Sequence, residues 1–270
     1  MHNILLALDS KLYTPSLTLI NSIVKNNENN VSFFILVSEK KDEYKKLLEK
    51  HFKNTQFTIE KFKIEDEYKE IIEIFKEQSK KNNHIFHPMN FARFYLPVIF
   101  KQIDKGIMLD IDMIVQTNFD NLLKEFDYLK KDFHLCSPLI MDCSEMSLDK
   151  LGYTGKAFNN GFLVWNLKKY RDENYINKVK ELMLFHKENN IWKLGTQPIF
   201  NIIYYKKVID LNRFWNHKGF GKIAETNDEK NNVSGKSAFV IHWNANIKPW
   251  DSDKVIGYKY WKKYFIYDSI

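Results

Sequence analysis

The strongest constraint on this chain is a set of short apolar runs that do not alternate with polar residues. Asn3–Leu8 (NILLAL) and Val31–Val37 (VSFFILV) are apolar almost throughout, and Ile107–Leu109 is a third, shorter run. A strand with one wet face reads apolar and polar in turn, whereas an unbroken run is what a strand covered on both faces requires. Between the runs lie stretches with helical spacing: Pro15–Val24, Asp42–Phe52 and Pro88–Phe100. Thr14, just before Pro15, is expected to cap the first of these helices. Phe57–Ile64 alternates like a further strand. Strands and helices in turn, with the strands buried, predict an α/β fold: a mostly parallel central sheet with helices on both faces, Rossmann-like.

Composition narrows the class. The 270 residues fit one large or two small domains, and 44% hydrophobic with 15% aromatic residues is enough for a sizeable core, which excludes a disordered chain. A net charge of +7 suits phosphates, nucleic acid or an anionic membrane surface without choosing among them. Cys136 and Cys143 are separated by six residues and form no C-x-x-C pair, so neither a zinc site nor a disulfide framework is expected. The opening MHNILLALDSKLY has no basic region and no small-residue cleavage site, and no later stretch is long enough to cross a bilayer. A cytoplasmic location is therefore expected.

The third apolar run delivers two aspartates, in KGIMLDIDMIV. Alternation along a strand would put Asp110 and Asp112 on one face with Ile111 turned away. Two like charges buried there need a counter-charge, and a divalent cation with hard oxygen preference, Mn²⁺ or Mg²⁺ with a diphosphate, is the simplest. Two solvated acids at a strand-to-loop junction fit the same four letters, so the neighbourhood has to decide. In open α/β sheets ligands sit beyond the carboxyl ends of the strands, and the first strand ends at Ala7-Leu8-Asp9. Ala7 is small enough to admit a flat base, and Asp9 fits either a contact to uracil or ribose or a local Asx turn or N-cap. Arg93, on an aromatic-rich helix, suits phosphate, the site carboxylates or the surface.

Downstream, Phe133–Pro138 is expected to be a strand and Met141–Lys156 a loop long enough to act as a lid. Asn159-Asn160-Gly161 either contacts sugar hydroxyls or makes a turn with a left-handed residue. It leads into a strand, Phe162–Trp165, and a long helix, Leu167–Lys187. Thr196 is expected to cap a helix that puts Gln197 at its start. An apolar strand, Ala238–Ile241, ends in His242, a nitrogen ligand for a metal already held by carboxylates, and six residues later Lys248 can place a point charge on a diphosphate. Gly219-Phe220-Gly221 with Ala224 loosely matches a dinucleotide-binding pattern but follows no clear strand and is rejected. No P-loop, H-E-x-x-H or G-x-S-x-G occurs. The lysine-rich stretches are interspersed with acids, so nucleic-acid binding is not expected.

Taken together, ALDSKLY, FAR, MLDIDMIV, AFNNGFLVWNL, TQPIFN and HWNANIKPW resemble glycosyltransferase family 8, the group of bacterial lipopolysaccharide galactosyl- and glucosyltransferases and glycogenin, in one order from Asn3 to Trp250. The resemblance implies a GT-A nucleotide-sugar-binding domain over 1–250. It implies transfer of glucose or galactose from a UDP-sugar to a saccharide or glycolipid acceptor with retention of configuration, using Mn²⁺, in lipopolysaccharide or other surface-glycan synthesis. It further implies that Asp110, Asp112 and His242 ligate the metal, Ala7 and Asp9 hold the uridine, Arg93 and Asn159 the donor sugar region, Lys248 the diphosphate, and that Gln197 stands beside the anomeric carbon. Acids usual on either side of that glutamine are Thr196 and Pro198 here, the glycine usual three residues after the histidine is Ala245, and Lys11 stands where a polar amide is common. Those neutral replacements keep a non-catalytic or hydrolytic sugar-nucleotide binder as the alternative, and a phosphohydrolase or nucleotidyltransferase would use the acid pair alone.

The last segment, 251–270, interleaves aromatics with Lys259, Lys262 and Lys263. It suits either the headgroup layer of an anionic membrane on the cytoplasmic face or a terminal helix docked on the domain.

Overall fold

The computed structural model describes residues 1–28, 30–62, 88–189, 191, 194–226 and 233–268. β1 (His2–Leu8), β2 (Val31–Val37), β3 (Gln56–Lys61) and β4 (Lys105–Leu109) run parallel, in the spatial order β4-β1-β2-β3. β9 (Phe162–Asn166) pairs antiparallel with the other side of β4 and with β6 (Leu135–Ser137), and β10 (Val208–Asp210) closes that edge parallel to β6. The central sheet thus has seven strands, with β9 the one reversed among them. The strand expected over Phe57–Ile64 is seen as β3; positions 63 and 64 lie outside the described residues.

β1 shows why the unbroken runs were needed. Leu5 packs on one face with Phe34, Met108 and Trp165, while Ile4, Leu6 and Leu8 pack on the other with Phe33, Ile107 and Leu109. Successive side chains leave a strand on opposite faces, so two covered faces demand two apolar sets. α1 (Tyr13–Asn27) and α2 (Lys41–His51) cover the second face through Leu17, Ile20, Tyr44 and Leu48. Three short elements continue the chain order: α3 (Pro88–Ala92), α4 (Leu96–Ile99) and α5 (Asp120–Glu125). α6 (Leu167–Asp172), α7 (Tyr175–Asn189) and α8 (Thr196–Ile203) cover the first face, with Tyr170, Val179 and Phe200 buried there.

Several local expectations are corrected. Pro88–Phe100 is not one helix: a 3₁₀ turn, Arg93–Tyr95, separates α3 from α4. Pro97 lacks an N–H and its ring would strike the Arg93 carbonyl in α geometry. That carbonyl instead accepts from Leu96 N. Leu167–Lys187 divides into α6 and α7 at Asn174, whose φ of 52° is a left-handed stop that asparagine tolerates. Thr14 caps nothing. α1 starts at Tyr13 without a side-chain cap, and the Thr14 hydroxyl donates to the Asp268 carbonyl (2.8 Å).

The loop expected over Met141–Lys156 is ordered. β7 (Met141–Asp142) pairs antiparallel with β8 (Lys156–Ala157), and two 3₁₀ turns between them bury Cys143, Met146 and Leu148. Asp142 and Glu145 form a capping box at the first turn. The segment is an anchored wall, not an open lid.

A small second ladder, β5 (Met113–Val115) against β11 (Val240–His242), stands outside the main sheet. It belongs to a third core cluster with Trp243, Val255, Trp261 and Tyr264, into which α9 (Tyr258–Lys262) docks. The C-terminal segment is tied down further, since the Tyr264 carbonyl accepts from Asn21 and the Asp268 carboxylate pairs with Lys50 (2.5 Å) and His51 (2.7 Å). Phe265 and Tyr267 remain exposed. Among the described residues no helix is long and apolar enough to cross a membrane.

Candidate active site

β4 ends at Leu109, and the two acids lie just past it. Asp110 follows the last strand residue, and Ile111 and Asp112 make the turn into β5. A turn, not strand alternation, therefore brings the carboxylates together. Two backbone bonds hold it: Asp110 N donates to Gly161 O (2.8 Å) and Trp243 N donates to Asp112 O (2.9 Å). The second of these extends the β5–β11 ladder, which delivers His242 to the acids. His242 is 2% exposed, and its Nε2 lies 3.2 Å from Asp112 Oδ1 and 3.9 Å from Asp110 Oδ2. One ligand atom from each of the three residues lies within 4.8 Å of the other two.

The environment of His242 fixes its role. Its Nδ1 is 2.9 Å from Asn216 Oδ1, and the Asn216 amide nitrogen is spent on Asn159 (Oδ1 3.1 Å, O 3.3 Å). Asn216 therefore offers oxygen, Nδ1 carries the proton that reaches it, and Nε2 faces the carboxylates. Nε2 is thereby presented to both carboxylates. Two carboxylates and an imidazole nitrogen are a fitting donor set for Mn²⁺ or Mg²⁺.

Two cationic side chains flank this cluster. Lys248 Nζ lies 2.6 Å from Asp112 Oδ2 and donates to the Trp243 carbonyl (2.8 Å); Arg93 Nη2 lies 3.0 Å from Asp110 Oδ1. Burial alone would raise the Asp112 carboxyl, but the charges and hydrogen bonds of His242 and Lys248 outweigh it and hold the group well below the usual carboxylate range. Arg93 is buried, and its Nε has no hydrogen-bond partner among the described residues.

Beyond the charged cluster the lining is neutral. Asn159 Nδ2 donates to Gln197 Oε1 (2.8 Å), and Asn160 Nδ2 donates to the Thr196 hydroxyl (2.9 Å). Thr196 is thus held by Asn160 and does not cap α8, whose N-cap is Gly195 with no side-chain bond. Gln197 Nε2 faces the thioethers of Met141 (3.2 Å) and Met146 (3.5 Å). Asn160 and Gly161 do form a turn, with Gly161 N donating to Asn159 Oδ1 (3.0 Å), but none of the three residues has a positive φ, so the turn needs no left-handed residue. Gly161 is needed for space: a Cβ there would stand 2.5 Å from His242 Cε1 and 2.7 Å from Met113 Cε.

Asp110, Asp112, His242, Lys248 and Arg93 thus meet as the spacing suggested, and Asn159 and Gln197 bond to each other beside them. Ala7 and Asp9 stand at the carboxyl end of β1, the strand next to β4. Asp9 also fulfils its local reading, accepting from Lys11 N (2.8 Å) to cap a 3₁₀ turn, Ser10–Leu12. Sequence reasoning missed Asn216, Met141 and Met146. It also missed the use of Gly221, whose φ is 91° and whose carbonyl accepts from Ile247 N to hold the loop carrying Ala245 and Lys248.

Comparison with known proteins agrees with this geometry. The chain is 25% identical over 92% of its length to glycosyltransferase 8 domain-containing protein 2 of Bos taurus, of which 77% is covered. Its fold matches the galactosyltransferase LgtC, solved with donor and acceptor sugar analogs, at a TM-score of 0.74 with 19% identity, covering 97% of this chain and 94% of that one. The glycosyltransferase GlyE of Streptococcus pneumoniae TIGR4 matches at 0.68 with 18% identity over 99% of this chain, which spans only 62% of that longer protein. These neighbours are of the GT-A fold. The model of glycosyl transferase family 8 matches residues 3–254, and the chain belongs to that family.

Proposed function

We propose that this chain transfers a hexose, glucose or galactose, from a UDP-sugar to a saccharide acceptor with retention of configuration, in lipopolysaccharide or other surface-glycan assembly. The observation that carries the reading is the convergence of Asp110, Asp112 and His242 within 4.8 Å, with Lys248 paired to Asp112. The three would hold Mn²⁺ or Mg²⁺, which when bound supplies Lewis-acid stabilisation to a departing diphosphate. Lys248 brings an ammonium to the same oxygens, and Arg93 adds an N–H without a partner among the described residues. Ala7 and Asp9 would receive the uridine at the end of β1, and Asn159 and Gln197 would orient the donor hexose.

The neutral lining bears on mechanism. Thr196 and Pro198 flank Gln197, so no carboxylate stands next to it to act as a nucleophile. A retaining reaction without a protein nucleophile is served by attack on the face the diphosphate leaves. The acceptor hydroxyl forms the new C–O bond as the anomeric C–O bond to the β-phosphate breaks, and its proton passes to that phosphate oxygen. Gln197, held by Asn159 and backed by two thioethers, fixes where the sugar lies while this happens.

A donor screen with Mn²⁺ over UDP-glucose, UDP-galactose and their N-acetyl forms tests this. Metal-linked stabilisation with UDP release only when an acceptor is present supports transfer. Release regardless of acceptor points to a hydrolase. Binding with no turnover is the outcome for a non-catalytic binder, the reading that the neutral Thr196 and Pro198 favour. Lys259, Lys262 and Lys263, with exposed Phe265 and Tyr267, also suit peripheral contact with an anionic cytoplasmic membrane face, where a glycolipid acceptor would be presented. Equal flotation of the intact chain with anionic and neutral vesicles would overturn that part.

A further inference from the structure

A second concavity shares a wall with the site. It encloses about 570 Å³, inside the range of roughly 300–1,000 Å³ usual for small-molecule sites. Asn216 lines it, and the same residue bonds His242 and Asn159. A molecule seated there is therefore one side chain away from the proposed donor. Leu139 and Ile140 give it an apolar patch, as the face of a sugar ring requires.

Its charge is lopsided. Lys156, Arg213 and Lys218 line it against one carboxylate, Asp210. Asp210 Oδ1 is already engaged, accepting from Leu139 N (2.9 Å). None of the three cations makes an ion pair or side-chain hydrogen bond to a described residue; Arg213 lies only over the Phe214 ring, and Lys218 senses Glu145, whose carboxylate caps Asp142 N. Burial lowers the Lys218 amine from its ordinary value, a cost that an incoming anion would relieve. His217 is lowered too, by burial and then by the Arg213 charge, so it offers a neutral ring at neutral pH and is not counted among the cations.

We propose that this concavity is the acceptor subsite and that it selects a saccharide bearing a negative charge, a phosphate or a carboxylate, held by Lys156, Arg213 and Lys218. The inference rests on the transferase reading above and adds the chemical class of its acceptor. Guanidinium and ammonium groups around one pocket match such anions by charge-assisted hydrogen bonds, while a neutral sugar would leave all three cations unanswered.

The test compares glucose, glucose 6-phosphate and glucuronate as probes, titrated calorimetrically into the intact chain saturated with UDP and Mn²⁺. At least one anionic probe is expected to bind 10-fold or more tightly than glucose, and whichever anion binds better identifies the group. In a Lys156→Gln, Arg213→Gln, Lys218→Gln triple variant that preference should collapse to within about 2-fold, while UDP affinity and melting temperature stay at the parent's values. Equal binding of the three probes, binding of none, or a preference that survives the triple change would each overturn the proposal. Failure of the transferase reading looks different: UDP release from the donor sugars would then be absent or independent of acceptor, whatever the order in which the three probes bind.

Discussion

The two sides of the site are built from opposite chemistry. One side gathers charge: Asp110, Asp112, His242, Lys248 and Arg93 balance one another across 2.6–3.9 Å contacts, and each pairing can be exchanged for a contact to an incoming ligand. The other side is built from neutral groups: Asn159, Asn160, Thr196, Gln197 and Asn201 form a ladder of amide and hydroxyl bonds against methionine sulfur. A charged cluster is strong and adaptable, which suits a diphosphate whose charge grows during reaction. An amide ladder is weaker but directional, which suits holding a neutral ring in one pose. Under the proposed function, leaving-group stabilisation and sugar orientation would fall to separate residues.

The largest effect expected from this division is in the acids. Asp112→Asn should lower metal-linked UDP affinity by about 100-fold or more and abolish transfer, whereas Gln197→Ala should lower kcat while UDP affinity, read by calorimetry, stays within about 3-fold. Matching losses in both variants would break the comparison. Next comes Gly161→Ala. Its Cβ cannot be accommodated beside His242 and Met113, so a cost of about 1–3 kcal/mol should appear as a lowered melting temperature, together with weaker Mn²⁺ binding.

Asn216 joins the two sides, and its variants sharpen the boundary. Asn216→Ala should weaken Mn²⁺ binding by roughly 10-fold. Asn216→Asp keeps an oxygen for His242 Nδ1 and should recover most of that affinity, yet it should still lower kcat because the bond to Asn159 is lost. The smallest effect concerns acid. Because the folded Asp112 carboxyl lies below its ordinary value near 3.8, the unfolded chain binds that proton more tightly. The stability this contributes is present above about pH 4 and is lost as pH falls further. Melting of the metal-free chain between pH 6 and 3 should show that slope, flattened in Asp112→Asn, while Gln197→Ala should retain it.

Much of this was legible in the residues. The buried runs NILLAL and VSFFILV could only be strands covered on both sides, and D-I-D after a third run marked the crevice. What escaped reading was set by partners remote in sequence. Asn216 lies in a short 3₁₀ turn, Arg213–Asn216, and its partners are 57 and 26 residues away, so no local pattern could mark it. Thr14 and Thr196 looked like caps because caps are local, but distant groups, the Asp268 carbonyl and Asn160, claimed their hydroxyls first. The acid pair does meet His242, but from a turn and not along a strand, since where a strand stops depends on its neighbour's length, and β9 leaves β4 at Leu109.

The β5–β11 ladder also sets a schedule for the newborn protein. A ribosome releases Asp110 and Asp112 long before it makes His242, and most of the parallel sheet can assemble in the interval, since domains begin to fold from their first-synthesised end. The three-residue cluster cannot close until His242 has been made. A copy terminated before that point would hold the two carboxylates without their imidazole, however well its front portion had folded.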